Sequence, residues 1–246
     1  MIFLTTVMYQ KERVDELLKC VNVNIKYDIF TKYILFLERT KDDNKFYNKL
    51  KNFNIKWDKK IEIIEITYRP IVKNMIEYVE NKYPNEICFL SNSDILFHKT
   101  IKLVKNINFE KCHVALTRYN ILPHYGPVYG YKGILKKFGN KIIKSMHANG
   151  RSTDTWIFKL PLNIKNELDF PLGTIYCDSF FNGLLQLDKP TFNPVSDIIS
   201  IHLHKYWNTL NYKNKYHSSN VHFKKKYKNY QSKIKFCKLK DCILHV

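Results

Sequence analysis

Two kinds of hydrophobic spacing alternate along the chain. Short runs dominated by apolar residues (Ile2 to Val7, Tyr33 to Leu37, Ile61 to Ile66, Ile87 to Leu90) have the length of strands. Between them the apolar positions recur every third or fourth residue, which predicts helices. Lys11 to Cys20 carries Val14, Leu17 and Leu18 on one side, Lys41 to Leu50 is a charged helix, and Ile71 to Tyr83 has an apolar stripe of Ile71, Met75, Ile76 and Val79. Strands alternating with helices imply right-handed crossovers and a mostly parallel sheet covered by helices on both faces, an α/β fold of nucleotide-binding type. After Asn120 the texture changes to LPHYGPVYGYKG, a long loop and hairpin region of the kind that covers substrates.

A chain of 246 residues buries a sizeable single core, and one domain with a C-terminal extension is expected. There is no run of about 18 apolar residues, so no membrane-spanning helix is expected, and the first residues read as a strand rather than a leader. Six scattered cysteines without zinc-like spacing, and no Asn-x-Ser/Thr, point to a reducing, cytoplasmic setting. Lys plus Arg number 41 against 22 Asp plus Glu, a net charge of +19. Eleven Lys and one Asp lie from Lys205 to Val246, so over half of the excess is in the tail. An AT-rich genome would give the same Lys, Asn, Ile and Tyr bias without selection for a polyanionic partner. There is no G-x-G-x-x-G after the first strand and no G-x-x-x-x-G-K-[ST], which excludes the dinucleotide fingerprint and the Walker loop.

Candidate chemistry sits where apolar runs end. LSNSDILF puts Asp94 directly after a buried strand, at the sheet edge where open α/β folds bind ligands, although an Asx turn or helix cap before Ile95 is an alternative. Further clusters are Tyr68-Arg69-Pro70, Ser152-Thr153-Asp154-Thr155-Trp156, Gly173 to Asp178, and Asn193-Pro194 leading to Ile201-His202-Leu203-His204. His202 and His204 share one face of a strand, a spacing open to a metal pair or to structural histidines.

Taken together and in order, "YRP", "SNSDILF", "TRYN", "STDTWIFKLP", "PLGTIYCD" and "NPVSDIISIHLH" resemble a group of small GT-A glycosyltransferases found in large DNA viruses and bacteria. The first domain of a chlorovirus rhamnosyltransferase is similar. The resemblance covers residues 1–207 and leaves 208–246 as a basic extension. Such proteins often read Gln-Asp-x-Trp and Cys-Asp-Asn where this chain has Thr153-Asp154 and Asp178-Ser179; both aspartates are kept.

The resemblance implies a GT-A-like (Rossmann-like) fold and transfer of a sugar, with inversion, from a nucleotide diphosphate donor (a UDP-sugar favoured) to a hydroxyl of a glycan, a glycoprotein or another acceptor. It also implies Mn²⁺ or Mg²⁺ to neutralise the leaving diphosphate. The usual Asp-x-Asp is replaced by Asn92-Ser93-Asp94, so Asp94 becomes the chief metal ligand, with His202 or His204 completing the shell and Asn92 reaching the ribose or the metal through water. Asp178, opening an apolar helix after a glycine turn, is the expected base. Asp154 is its rival or an acceptor-orienting group. Arg69 is expected at the diphosphate or ribose, and Thr5, Thr6 and Tyr9 at the nucleotide. Plainer roles stand beside these: a helix cap for Asp178, a turn for Asp154, a surface ion pair for Arg69, a strand-to-helix turn for Thr5 to Tyr9. Two other functions are carried, a nucleic-acid-binding or nucleotidyl-transfer protein and a non-catalytic sugar-nucleotide-binding module. No stable nucleic-acid complex is expected. The tail, with Lys interleaved among Tyr and Phe, is expected to be a solvated or loose segment, with peripheral membrane contact as the alternative.

Overall fold

In the computed structural model, the described residues are 1–9, 11–41, 43–56, 60–122, 134–145, 153–174, 177–203, 234 and 237–244. The loop expected at 123–133, His204 and most of the basic extension lie outside them.

The main sheet has seven strands: β1 (Ile2–Met8), β2 (Lys32–Glu38), β3 (Ile61–Ile66), β4 (Ile87–Asn92), β6 (His113–Thr117), β10 (Thr153–Lys159) and β11 (Thr191–Phe192). Their spatial order is β11-β6-β10-β4-β1-β2-β3. β1 pairs in parallel with both β2 and β4, and β2 with β3, whereas β10 enters antiparallel between β4 and β6. Central strands covered on both faces become nearly continuous apolar runs, as β1, β2 and β4 are. The edge strand β3 (IEIIEI) instead carries two charges, Glu62 and Glu65, which are held by Tyr78 and Lys82 and by Tyr47 and Arg39 respectively.

Helices α1 (Val14–Asn24) and α2 (Asn44–Lys56) bury Leu17, Leu18, Val21, Phe46 and Leu50 against one face of the sheet. On the other face α3 (Val72–Lys82) buries Val72, Met75, Ile76 and Val79, and α4 (Cys177–Asp188) buries Phe180, Phe181, Leu184 and Leu185. The fold is therefore a Rossmann-like mixed, mostly parallel sheet with helices on both faces. A smaller sheet, β5-β12-β7-β9-β8, joins β5 (Ile95–Phe97), β7 (Tyr119–Leu122), β8 (Leu135–Phe138), β9 (Lys141–Ser145) and β12 (Ser200–His202). Gly139, at φ +57°, makes the tight turn between β8 and β9.

A last helix, α5 (Leu239–Leu244), returns to the domain: Cys242 is fully buried and the Cys237 N–H donates to the Asn193 carbonyl at 3.1 Å. All six cysteines are free. Among the described residues no helix is long and apolar enough to cross a membrane.

One polar clamp fixes α4 to β10. The Asn182 side-chain oxygen, fully buried, accepts from both Thr153 Oγ1 and Trp156 Nε1 at 2.8 Å. Replacing Asn182 with Leu leaves two buried donors without that acceptor, at about 1–3 kcal/mol each. Urea unfolding of Asn182→Leu should show a loss of roughly 2–6 kcal/mol; a midpoint equal to that of the wild type would show that the clamp contributes nothing.

Candidate functional site

The carboxyl ends of β1, β4 and β6, the start of β10 and the first turn of α4 meet at one edge of the main sheet. Parallel registry sets Thr5 opposite Ser91 and Thr6 opposite Asn92. The Thr5 hydroxyl donates to the Ser91 carbonyl at 2.8 Å, so it ties the strands together. Thr6 is buried and its Oγ1 has no hydrogen-bond partner among the described residues. Tyr9 is half-buried, with its ring tilted against Phe46 at 6.0 Å.

Beyond β4, Ser93 and Asp94 form a tight turn into β5. Ile95 thus opens a strand, and Asp94 does not cap a helix. Two groups meet on Asp94 Oδ2: Arg13 Nη2 at 2.7 Å and His202 Nε2 at 3.0 Å. Arg13 lies where a short helical turn (Lys11–Arg13) meets α1, and its Nε also reaches Glu16 at 3.2 Å. His202 is brought in by pairing: it faces Ile95 in the antiparallel β5–β12 ladder, and the Leu203 N–H donates to the Asp94 carbonyl at 3.0 Å. Burial pulls the His202 imidazole below its usual range, opposed by the charge of Asp94.

Asp154 stands in β10, not in a turn. The β10–β6 register shifts between Thr153 and Thr155, and such a bulge re-aims the side chain of the extra residue. The carboxylate accepts Asn92 Nδ2 at 2.6 Å and Arg118 Nη1 at 2.8 and 2.9 Å on its two oxygens. An Asp at position 92 would set a second carboxylate against Asp154; Asn supplies a donor there instead. Trp156 lies fully buried in the core beneath, as its position in the apolar run predicts. Burial works against the charge of Arg118, but Asp154, Asp94 and Asp178 together hold its pKa above the usual value. Thr117, just before it, is held by Asn193, which accepts from the Thr117 N–H at 3.2 Å and donates to Thr117 Oγ1 at 2.7 Å.

Gly173, at φ +73°, turns the chain toward α4. A Cβ at this position would lie 3.8 Å from Arg69 Nη1 and 4.0 Å from Asn92 Oδ1, so the turn runs close by both side chains. Arg69 Nε is also 3.9 Å from Glu38 Oε2, at the end of β2. Asp178 is the second residue of α4, inside the helix and not at its cap, and it accepts the Ser179 N–H at 2.9 Å. Burial, and then the nearby charge of Asp154, push its pKa up to about 7, against the pull of Arg118.

The structure therefore brings Asn92, Asp94, Asp154, Asp178, Arg69 and His202 to one edge, while Thr5 and Tyr9 are engaged in packing. Arg13 and Arg118 were not assigned from sequence. Arg118, in "TRYN" at the end of a buried run, had a local signal; Arg13 sits in a polar helix start and had none.

No family model and no curated protein sequence matches the chain. Solved structures do share its fold. S. aureus TarS 1-349 in complex with UDP superposes with a TM-score of 0.52 at 11% identity, over 82% of this chain and 60% of that one. The mannosyltransferase PcManGT from Pyrobaculum calidifontis, in complex with GDP-Man and Mn²⁺, gives 0.53 at 10% identity, over 89% and 59%. The chain spans about three fifths of the length of each of these structures.

The raised Asp178 pKa has a stability consequence. The unfolded chain ionises Asp178 near pH 4 and the folded one near pH 7, so folding favours the protonated form. That stabilisation is complete below about pH 4 and is lost as pH rises to 7. Asp178→Asn mimics the protonated acid, so its melting temperature should gain on the wild type between pH 5 and pH 8. A difference independent of pH would show that Asp178 titrates normally.

Proposed function

We propose that the chain is a metal-supported glycosyltransferase that moves a sugar, with inversion, from a nucleotide diphosphate donor to a hydroxyl on a glycan or glycoprotein acceptor. A UDP-sugar is the favoured donor. The observation that carries this reading is the gathering of Asp94, Asp154 and Asp178 around Arg118 at the carboxyl edge of the sheet, in a fold shared with a UDP complex and with a GDP-mannose complex. Open α/β sheets take their ligands at this edge.

Two carboxylates differ in what they can do. Asp154 is buried and its two oxygens are occupied by Arg118 and Asn92; this suits a fixed anchor for Arg118 or for a substrate hydroxyl. Asp178 titrates near neutral pH, the range in which a general base works best, and its helix is clamped to β10 by Asn182. Asp178 is accordingly assigned to take the proton from the acceptor hydroxyl. Asn92 and Arg69, both close to the Gly173 turn, are assigned to the ribose and diphosphate, with Ser93 and Thr6 beside them.

A divalent ion fits Asp94 and His202. Their facing atoms lie 3.0 Å apart in a hydrogen bond, with Arg13 Nη2 on the same Asp94 oxygen, and this carboxylate and imidazole are the groups that would hold the ion. The neutral imidazole favoured by burial is the ligating form. Among the described residues no group of three His, Cys, Asp or Glu surrounds a common point, so the donor phosphates and water are assigned the other positions. When bound, the ion neutralises charge developing on the departing diphosphate. Residues 1–207 are taken as the catalytic domain and 208–246 as a basic extension, with no stable nucleic-acid complex and a cytoplasmic location.

Donor turnover and acceptor transfer test these assignments. Asp178→Asn should bind donor normally and lose about 10²- to 10⁴-fold in transfer rate. Wild-type kcat/KM should rise with pH through about 7, a limb absent from the variant. Asp154→Asn should act chiefly through KM, and a dead Asp154→Asn beside a nearly active Asp178→Asn would reverse the roles. In a separate binding measurement, Asp94→Ala should lose the Mn²⁺-dependent part of donor affinity; unchanged affinity would remove the metal from Asp94.

A further inference from the structure

Asn120 occupies an unusual position. It is 1% exposed, and neither its side-chain oxygen nor its nitrogen has a hydrogen-bond partner among the described residues. Buried amides are nearly always paired, and the exceptions need a reason. The smaller sheet indicates one. Its order places β12 between β5 and β7, and the parallel β12–β7 ladder sets His202 opposite Asn120. Tyr119, Ile121 and Ile201 belong to one apolar cluster with Leu96 and Ile143, so the alternating residues Asn120 and His202 lie on the other face. On the opposite side of His202, in the β5–β12 ladder, comes Ile95, with Asp94 just before it. The strand bearing His202 is thus flanked by Asp94 on one side and by an unsatisfied carboxamide on the other.

The geometry points to Asn120 as a further ligand group of the divalent-cation centre: its side-chain oxygen faces the ion held by Asp94 and His202. This inference rests on the metal reading given above. A carboxylate oxygen, an imidazole nitrogen and a neutral amide oxygen form a donor set suited to a hard divalent cation. The amide oxygen adds a ligand without adding charge, beside a carboxylate that already carries Arg13. It also gives the chain a replacement for the carboxylate missing from Asn92-Ser93-Asp94, drawn from a strand about thirty residues away. The burial of an unpartnered amide oxygen, costly for the metal-free fold, is then explained by the bound state.

The test uses Mn²⁺ alone. Wild type, Asn120→Ala, Asn120→Asp and Asp94→Ala are titrated with Mn²⁺ without nucleotide, with free ion read by its paramagnetic resonance signal. UDP affinity in EDTA and the metal-free melting temperature are measured in parallel. Asn120→Ala should bind Mn²⁺ about 10- to 100-fold more weakly, the range seen when groups supporting a metal are removed. It should keep the wild-type UDP affinity and melt no lower than wild type. Asn120→Asp, which retains the oxygen, should hold Mn²⁺ at least as tightly as wild type, and it decides the matter if the Ala variant fails to fold. Mn²⁺ affinity unchanged in Asn120→Ala, or weakened in Asn120→Asp, overturns the assignment. So does a loss confined to UDP binding in EDTA, which would make Asn120 a diphosphate contact. If Asp94→Ala weakens Mn²⁺ and Asn120→Ala does not, only Asn120 falls. If wild type holds no Mn²⁺ either alone or with saturating UDP present, the metal reading falls and Asn120 with it.

Discussion

Three carboxylates at one edge of a sheet repel one another, and the fold holds them there because guanidinium groups stand among them. Arg118 binds both oxygens of Asp154 and lies in the field of Asp94 and Asp178; Arg13 binds Asp94 directly. Burying such charges is costly unless each finds a partner, and removing one partner costs more than the pair contributes. The balance is not even. Asp154 and Asp94 receive direct ion pairs, whereas Asp178 feels Arg118 only through space and is driven toward its neutral form. One cationic centre therefore divides chemically identical side chains into two that are ion-paired directly and one that is pushed toward its protonated form.

Most of the remaining architecture serves to hold that arrangement. The bulge in β10 turns Asp154 toward the edge; Asn182 locks the helix that carries Asp178 to the strand that carries Asp154; the left-handed Gly173 lets the connecting turn pass close to Arg69 and Asn92. The smaller sheet carries His202 to Asp94 across 108 residues of sequence. These supports lie on strands and helix ends rather than on long loops, which favours fixed geometry.

The alternation of strands and helices was legible in the sequence because β1, β2 and β4 are central and parallel, and burial on both faces removes polar residues from them. The helical stripe of α3 was equally plain. The direction of β10 was not, since the run TDTWIFK reads the same whether it pairs parallel or antiparallel. Its bulge was hidden too, so Asp154 was weighed as a turn residue although it is buried in a strand. The place of Asp178 at the start of a helix was legible through the glycine turn and the apolar run that follows. The groups that decide the electrostatics were the hardest to see: Arg13 meets Asp94 over 81 residues, a pairing that leaves no local trace in either segment. The cap once open for Asp94 disappears because Ile95 enters a second sheet, and a three-residue strand gives too short a pattern to foretell.

The central claim is that this cluster works on a nucleotide diphosphate sugar, and it is tested most directly by nucleotide release. Purified protein is incubated with UDP- and GDP-sugars one at a time, with Mn²⁺ or with EDTA, and the freed nucleotide is quantified. The account predicts that at least one sugar nucleotide, a UDP-sugar first, is cleaved to its nucleoside diphosphate in the presence of Mn²⁺ and far more slowly in EDTA. Neither cleavage nor binding of any UDP- or GDP-sugar, by protein shown to be folded, would contradict it.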